Sequence, residues 1–489
     1  MLDKKYNSTY TIAVDQLVKS VSSKSRGKLS LMQQAEEYFN NVPIDALKLA
    51  ELSNQIIELK EEIDNTPLFK FKPKVKLIEL ETLETELAEE QAAQEKRRVS
   101  RLNDAINVCL KILYLTEGSN HQETQLKSAK FLATMLLFSP GEGKALAELH
   151  QRLKPAYKAV LSLRLLDKLI SNGGLKNNYI LTHFEEHNRF SSEKPNQIGY
   201  TQAVLLPVML AAIFQDVGWH HPDVTVILDG EEGEKDRFRL LDKNEKAQVA
   251  ALNHQYTIEY LEKGLGCQQG IESIGQQKAL FAEAESQRLS FQSTLMTDAS
   301  AIKFGISEVI KIPQIYASIV FSTKRDFSKS TLPMASLLIS QLANNNKLSL
   351  QVVDAFISIV GRFPLGYGII YIPKNTKGIE LNCYEYAIVT GLNPLKIDEP
   401  SCRLVSRNLM FADYGKNEVI EKSRNTHFEI ARKKLDRIDP NRLLKIRQSL
   451  TYKFDPKNAD DLIPAYWEAF NYFFVEGYQN LWNHAGQED

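Results

Sequence analysis

The sequence predicts a mainly α protein. Two observations carry that expectation. Apolar residues recur in steps of three and four along most of the chain, and alternation of period two is confined to short stretches. Leu49, Leu52, Ile56, Leu59 and Ile63 fall on one helical stripe. Two heptads are too few for a coiled coil, so the expectation is a helix packed within its own domain. Asp64-Asn65-Thr66-Pro67 ends that helix, because proline cannot continue it. Phe69, Phe71, Val75 and Leu77 then alternate with Lys70, Lys72, Lys74 and Lys76, which with Pro73 reads as a short edge strand whose lysines guard it against pairing. The helical period returns from Ile78 to Leu115 and continues through Gln125–Phe138 and Lys144–Ile170. Ser139-Pro140-Gly141 and Gly173-Gly174 punctuate it, and no catalytic motif precedes about residue 180.

A chain of 489 residues is too long for one ordinary core, so two or three domains are expected. Lys plus Arg number 60 and Asp plus Glu 61; this balance leaves no overall basic field of the kind nucleic-acid binding uses. The opening MLDKKYNSTY lacks the apolar core of a secretion signal. The longest apolar run, Ala203 to Phe214, is interrupted by Pro207 and reads as too short to span a bilayer. Cys109, Cys267, Cys383 and Cys402 are far apart with no C-x-x-C pairing, as expected of reduced buried thiols in a cytoplasmic protein.

From about residue 180 the motifs change character. Ala211-Ala212-Ile213-Phe214-Gln215-Asp216-Val217-Gly218 is an apolar helix ending in a polar pair and a glycine, followed by Pro222-Asp223. Leu241-Asp242-Lys243-Asn244-Glu245 leads through Val249 and Leu252 to His254, and Gly264-Leu265-Gly266 stops that helix. Glu308 to Ser318 forms another helix carrying Gln314, and Ser322 to Lys329 (STKRDFSK) follows. Val352 to Val360 runs into Gly361-Arg362-Phe363-Pro364-Leu365-Gly366-Tyr367-Gly368 and the apolar strand Ile369 to Ile372, with Lys377-Gly378, Asn393-Pro394 and Pro400 beyond. In this order, over residues 180 to 410, the stretches resemble a bacterial HD-GYP domain of the HD metal phosphohydrolases. The resemblance implies a multi-helix HD-like domain closed by a small terminal β hairpin. It also implies that Asp216 and His254 stand at metal-ligand places, Gln215 and Gln314 where the family has a histidine and an aspartate, and Arg325 and Phe327 in the places of an Arg and a Tyr. The family's first histidine corresponds to His183 or His187.

The departures bear on chemistry. The family's His-His-Glu and glycine-rich signature should fall between His254 and Gln314, where the chain reads Ala282-Glu283-Ala284-Glu285-Ser286-Gln287-Arg288-Leu289-Ser290-Phe291. Two divalent ions held close together need several anionic or imidazole ligands, and glutamine brings no charge. Each surviving residue also has a plainer reading. Asp216 would cap local backbone N–H groups, His254 would be a core histidine, His220-His221 an exposed turn, and Lys324, Arg325 and Lys329 a solvated basic loop. Arg325 and Lys329 are the residues placed to meet a nucleotide phosphate.

The expectations are therefore these. An N-terminal helical domain spans 1–175, a degenerate HD-GYP-like domain 176–410, and a C-terminal helical extension 411–489. Within that extension Asp439-Pro440-Asn441 starts a helix, and Trp467, Phe470, Phe474 and Tyr478 form one stripe of a terminal helix. The resemblance together with these departures implies a non-catalytic signalling module working through protein contacts, with a cyclic dinucleotide as its candidate ligand, and without catalytic residues or cofactor. The alternative is a cyclic di-GMP phosphodiesterase using a pair of Mn, Fe or Mg ions. No nucleic acid and no membrane span are expected.

Overall fold

The computed structural model describes residues 8–23, 27–65, 74–141, 143–186, 189–191, 193–268, 276–297, 305–413, 415–451, 461–475 and 477–483. The protein is mainly α, with a small antiparallel strand group late in the chain. The helices of the first half are α1 (Thr9–Val21), α2 (Leu31–Asp64), α3 (Lys74–Thr116), α4 (His121–Leu137), α5 (Gly143–Ser171), α6 (Asn178–Glu186), α7 (Lys194–Tyr200), α8 (Leu206–Phe214) and α9 (Pro222–Asp229). Those of the second half are α10 (Lys243–Glu259), α11 (Gln276–Thr297), α12 (Glu308–Val320), α13 (Ala335–Asn344), α14 (Leu350–Val360), α15 (Glu429–Leu435), α16 (Pro440–Leu450) and α17 (Phe470–Phe473). The strands are β1 (Gly368–Tyr371), β2 (Glu385–Val389), β3 (Ser401–Leu404), β4 (Ser406–Arg407), β5 (Met410–Phe411) and β6 (Asn417–Val419).

The chain divides into two compact units, each assembled from separated stretches. Unit 1 takes Met1–Val21, Cys109–Ile213 and Thr294–Asp489; unit 2 takes Ser22–Val108 and Phe214–Ser293. These divisions run along different lines from the consecutive segments 1–175, 176–410 and 411–489. The crossings at 108/109 and 293/294 fall inside α3 and α11.

In unit 1, α5 is the helix on which α1, α4, α12 and α14 pack. Its residues from Ala156 to Leu166 are buried on every side, so they need neighbours all round. Three of the buried residues are charged: Lys158, Arg164 and Asp167. Burying a charge is costly unless it is paired. Arg164 donates to Glu117 at 2.6 Å and to the Ser128 hydroxyl at 2.8 Å, and it lies 3.1 Å from Asp167. Arg189 closes the cluster by pairing with both Glu117 and Asp167. Burial pushes the Glu117 carboxyl up, but Arg164 and Arg189 outweigh it and hold the group down at about 2.

The sheet of unit 1 is antiparallel, in the order β1-β2-β3-β6, with Ile370 opposite Tyr386, Ile388 opposite Arg403 and Cys402 opposite Glu418. β4 and β5 pair separately. One face of the sheet packs against α15, α16 and the aromatic segment around Trp467. The Trp467 ring stacks on Tyr386 at 4.6 Å and its indole N–H donates to the carbonyls of Ile369 and Ala387, both at 3.1 Å. A turn through Pro364 and Gly366 feeds β1. Gly366 has φ +84°, and a Cβ there would lie 2.7 Å from the Ala133 carbonyl oxygen. Gly378, with φ +77°, turns the chain between β1 and β2.

Unit 2 pairs α2 with α3 through Lys48–Glu90 at 2.6 Å, Lys60–Glu84 at 2.7 Å and Arg97–Asp45 at 2.9 Å. Pairs this exposed set register more than they stabilise. Leu52, Ile56, Leu59 and Ile63 are buried, as the stripe predicts.

Several expectations are corrected. Residues 74–77 are the first turn of α3, not an edge strand, and 66–73 lie outside the described residues. A helix once nucleated propagates cheaply, and alternation over four residues cannot oppose the long helix behind it. The stretch after 411 is not purely helical, because β6 adds to the sheet. Of the terminal aromatic stripe only Phe470–Phe473 is helical, yet Trp467, Tyr472 and Phe473 are buried in the core. The apolar run does not stop at Pro207: α7 and α8 join through a π turn at Thr201–Leu205. Residues 197–214 are thus long and apolar enough to cross a membrane by length and composition, but 67% of that window is buried within the protein, as in a core helix. The four cysteines are unpaired, with Cys109 and Cys402 buried.

Three outcomes follow for stability. Replacing Arg189 by leucine leaves Arg164 alone against the Glu117 and Asp167 carboxylates, so one negative charge of the cluster goes unbalanced, and should lower the unfolding free energy by about 3–5 kcal/mol in a urea titration. In the unsubstituted protein, Glu117 contributes fully near neutral pH. Its contribution should fade as pH drops from about 4.5 towards about 2, since its folded value is the lower one. Gly366→Val should lower the melting temperature, because the residue needs positive φ and has no room for a side chain. An unchanged transition would contradict a purely structural turn.

Candidate functional site

The turn that carries Gln215 and Asp216 belongs to unit 2, between the end of α8 and a short 3-10 turn at Val217–His220. It packs on α10, whose inward residues are Val249, Asn253, Tyr256, Thr257 and the following Tyr260. The backbone carbonyl of Gln215 accepts from the Asn253 amide at 3.3 Å and the Thr257 hydroxyl at 3.4 Å. The Gly218 N–H donates to the same hydroxyl at 3.2 Å. Gly218 is needed for this approach: a Cβ there would come within 2.5 Å of the Asn253 carbonyl oxygen. The Gln215 side chain is buried, and its Oε1 has no hydrogen-bond partner among the described residues. Asp216 is half-buried and engaged in an interaction of its own.

His254 is exposed on α10, one position along from Asn253, so it is not a core histidine. α10 itself starts as the sequence implies. Asp242 caps it, accepting from Asn244 and Glu245 N–H at 2.7 and 2.9 Å, and Glu245 reaches back to the Asp242 N–H.

His220 and His221 are not an exposed turn. His220 is half-buried, and burial with the nearby Arg237 pulls its value down to about 4. The His221 ring stacks on Tyr256 at 3.4 Å and 6°, meets the edge of Phe39, and its Nδ1 accepts from the Asp223 N–H at the start of α9. Accepting there leaves the imidazole neutral with its proton on Nε2. The Tyr256 hydroxyl donates to the Asp223 carboxylate.

In the interval where the resemblance expects a histidine pair, α11 places Glu285, Arg288 and Gln292 against a turn of the same unit. Arg288 donates to Glu285 at 3.1 Å, to Gln292 at 3.1 Å and to the Gly266 carbonyl at 3.2 Å; Glu285 accepts from the Gln268 N–H at 2.8 Å. These polar groups satisfy one another and tie down the chain after α10.

The remaining expected residues lie in unit 1. Gln314 is half-buried in α12, and Arg325 is exposed. Lys329 is not a solvated lysine: it is buried, its ammonium donating to the Ser139 carbonyl and to Glu468 at 3.1 Å. His183 stacks edge-on against Tyr179 in α6, with its Nδ1 3.7 Å from Glu186; His187 lies outside the described residues. Among the described residues no three His, Cys, Asp or Glu side chains come together as metal ligands.

Unit 2 also holds a groove of about 700 Å³ between α2 and α3, lined in part by Tyr38, Asp45, Leu49, Gln94, Arg101 and Lys263. Pro43 interrupts the backbone hydrogen bonding of α2 beside it. In sequence this wall shows only as the basic stretch Arg97, Arg98 and Arg101 within the long helical pattern.

No protein-family model, curated protein or solved structure matches the chain.

Gly218→Ala should lower stability by about 1–3 kcal/mol, since the close turn cannot accept a methyl group without moving α10. Chemical denaturation of the two proteins side by side checks this.

Proposed function

We propose that the protein is a non-catalytic regulatory module of HD-GYP type, working through protein contacts rather than hydrolysis. The observation that supports this most is how the Gln215–Gly218 turn is held. A metal centre at this turn would be organised by charged or imidazole ligands. Here the contacts are an amide and a hydroxyl from α10, Asn253 and Thr257, and His254 is on the exposed side of that helix. Gln215, in the histidine's place, is a neutral buried amide. The order of motifs adds support, with the turn at Gly366 leading into the strand group where the resemblance expects a closing hairpin. In this reading Asp216 and His254 are survivors of a ligand set rather than a working one. A cyclic dinucleotide remains the ligand class to test first.

The test is incubation of the purified full chain with cyclic di-GMP and added Mn²⁺ or Fe²⁺. The expected outcome is no linear product above a protein-free control. Metal-dependent product that disappears in Asp216→Ala would overturn the proposal in favour of the phosphodiesterase.

A further inference from the structure

The groove in unit 2 contains an arginine whose surroundings leave its charge unanswered. Arg101 sits half-buried on α3 with its guanidinium over the Tyr38 ring at 4.9 Å, and its Nε donates to the Gly264 carbonyl at 3.1 Å. Those two contacts fix the plane of the group. Its Nη atoms meet no acceptor among the described residues, and no carboxylate pairs with it.

The other charges of the wall are different. Arg97 pairs with Asp45, Arg98 with Glu95 at 2.6 Å, and Lys28 with Asp104 at 2.8 Å. Lys263 also lines the groove, adjoins the carbonyl that holds Arg101, and has no partner among the described residues. The Tyr38 hydroxyl is likewise unpartnered there. Among the lining residues Glu37 is the one carboxylate without a cation, against the two cations Arg101 and Lys263, and Glu259 acts on the Tyr38 hydroxyl from outside the lining.

We propose that this groove is a binding site for a small phosphorylated ligand, with Arg101, Lys263 and Tyr38 receiving the phosphate. A guanidinium held in plane with its Nη edge open suits bidentate contact with an oxyanion. A second cation and a phenol beside it offer donors from further directions, which a tetrahedral, multiply charged phosphate uses better than a planar carboxylate. The volume suits a ligand larger than the anion alone. Leu49, Val42 and Ala46 supply an apolar strip for its organic part, and Gln91 and Gln94 supply amides. Burial lowers the Arg101 value from its ordinary one, consistent with a cation that an incoming anion would relieve. This site is separate from the Gln215 turn and does not rest on the regulatory reading above.

The experiment is isothermal titration of the full chain with inorganic pyrophosphate at low ionic strength, with citrate as the carboxylate comparison. Saturable binding of pyrophosphate, tighter than citrate, is expected. Arg101→Gln should weaken it about tenfold, the loss of one charge-assisted bidentate contact. Arg101 also tethers the Gly264 turn, so the second variant is Lys263→Gln, an exposed side chain with no hydrogen bond or ion pair among the described residues. It should weaken binding severalfold while leaving the melting temperature unchanged. No saturable binding at millimolar pyrophosphate, equal affinity for citrate, or full affinity in Lys263→Gln would each overturn the proposal.

Discussion

The guanidinium of Arg164 lies inside unit 1 with no access to water, and a charge so placed has to be met by others. Meeting it draws in Glu117 from the end of α3, Ser128 from α4 and Asp167 from the next turn of α5, and the second carboxylate is balanced in turn by Arg189 from the segment before α7. Apolar packing alone tolerates sliding of one helix along another, whereas paired charges in a dry interior do not. The cluster thus sets where α4 and the segment before α7 sit against α5. α5 in turn carries α1, α12 and α14. The strand group is held differently, by rings: Trp467 lies on Tyr386 and ties two strands through its one N–H.

Helix ends were the most legible part of the sequence, because they depend on local chemistry. Asp242 with Glu245, Asp439 before Pro440, and Asn65 before Thr66-Pro67 each mark a boundary that the structure keeps. What local chemistry does not decide was harder to read. Lys74 to Leu77 alternate like a strand but belong to the helix that continues behind them. β6 is three residues long, too short to show any period, and exists because β3 has a free edge for it. The aromatic tail is buried ring by ring against the sheet, with one helical turn among its bends. The division into two units leaves no mark in the sequence, since two of its crossings run through unbroken helices.

The candidate turn was legible as a turn, but its partners were not. The choice of inward face on α10 is made by Val249, Asn253, Tyr256 and Tyr260, spaced four, three and four apart, and His254 falls off that stripe. Read by periodicity rather than by chemistry, the helix would have named Asn253 instead of the histidine beside it. The same holds for α11, where Glu285, Arg288 and Gln292 look like surface charge in sequence and turn out to be an internal tie. Lys329 is a further case: nothing around it in sequence announces Glu468, and only the fold brings the two together.

The separated stretches of each unit also govern the order in which the protein takes shape during synthesis. α2 emerges long before α10, yet unit 2 is built from both, so its first stretch has to wait for its second. The delay is greater in unit 1. There α1 packs on α5, but the Thr11 hydroxyl donates to Gln479, 468 residues away. Contacts this distant in the chain close slowly, because loop entropy is lost before any bond repays it. On the ribosome α1 can therefore meet α4 and α5 early and its partner Gln479 only late, whereas α2 waits for the turn after Phe214 before its own unit can close over it.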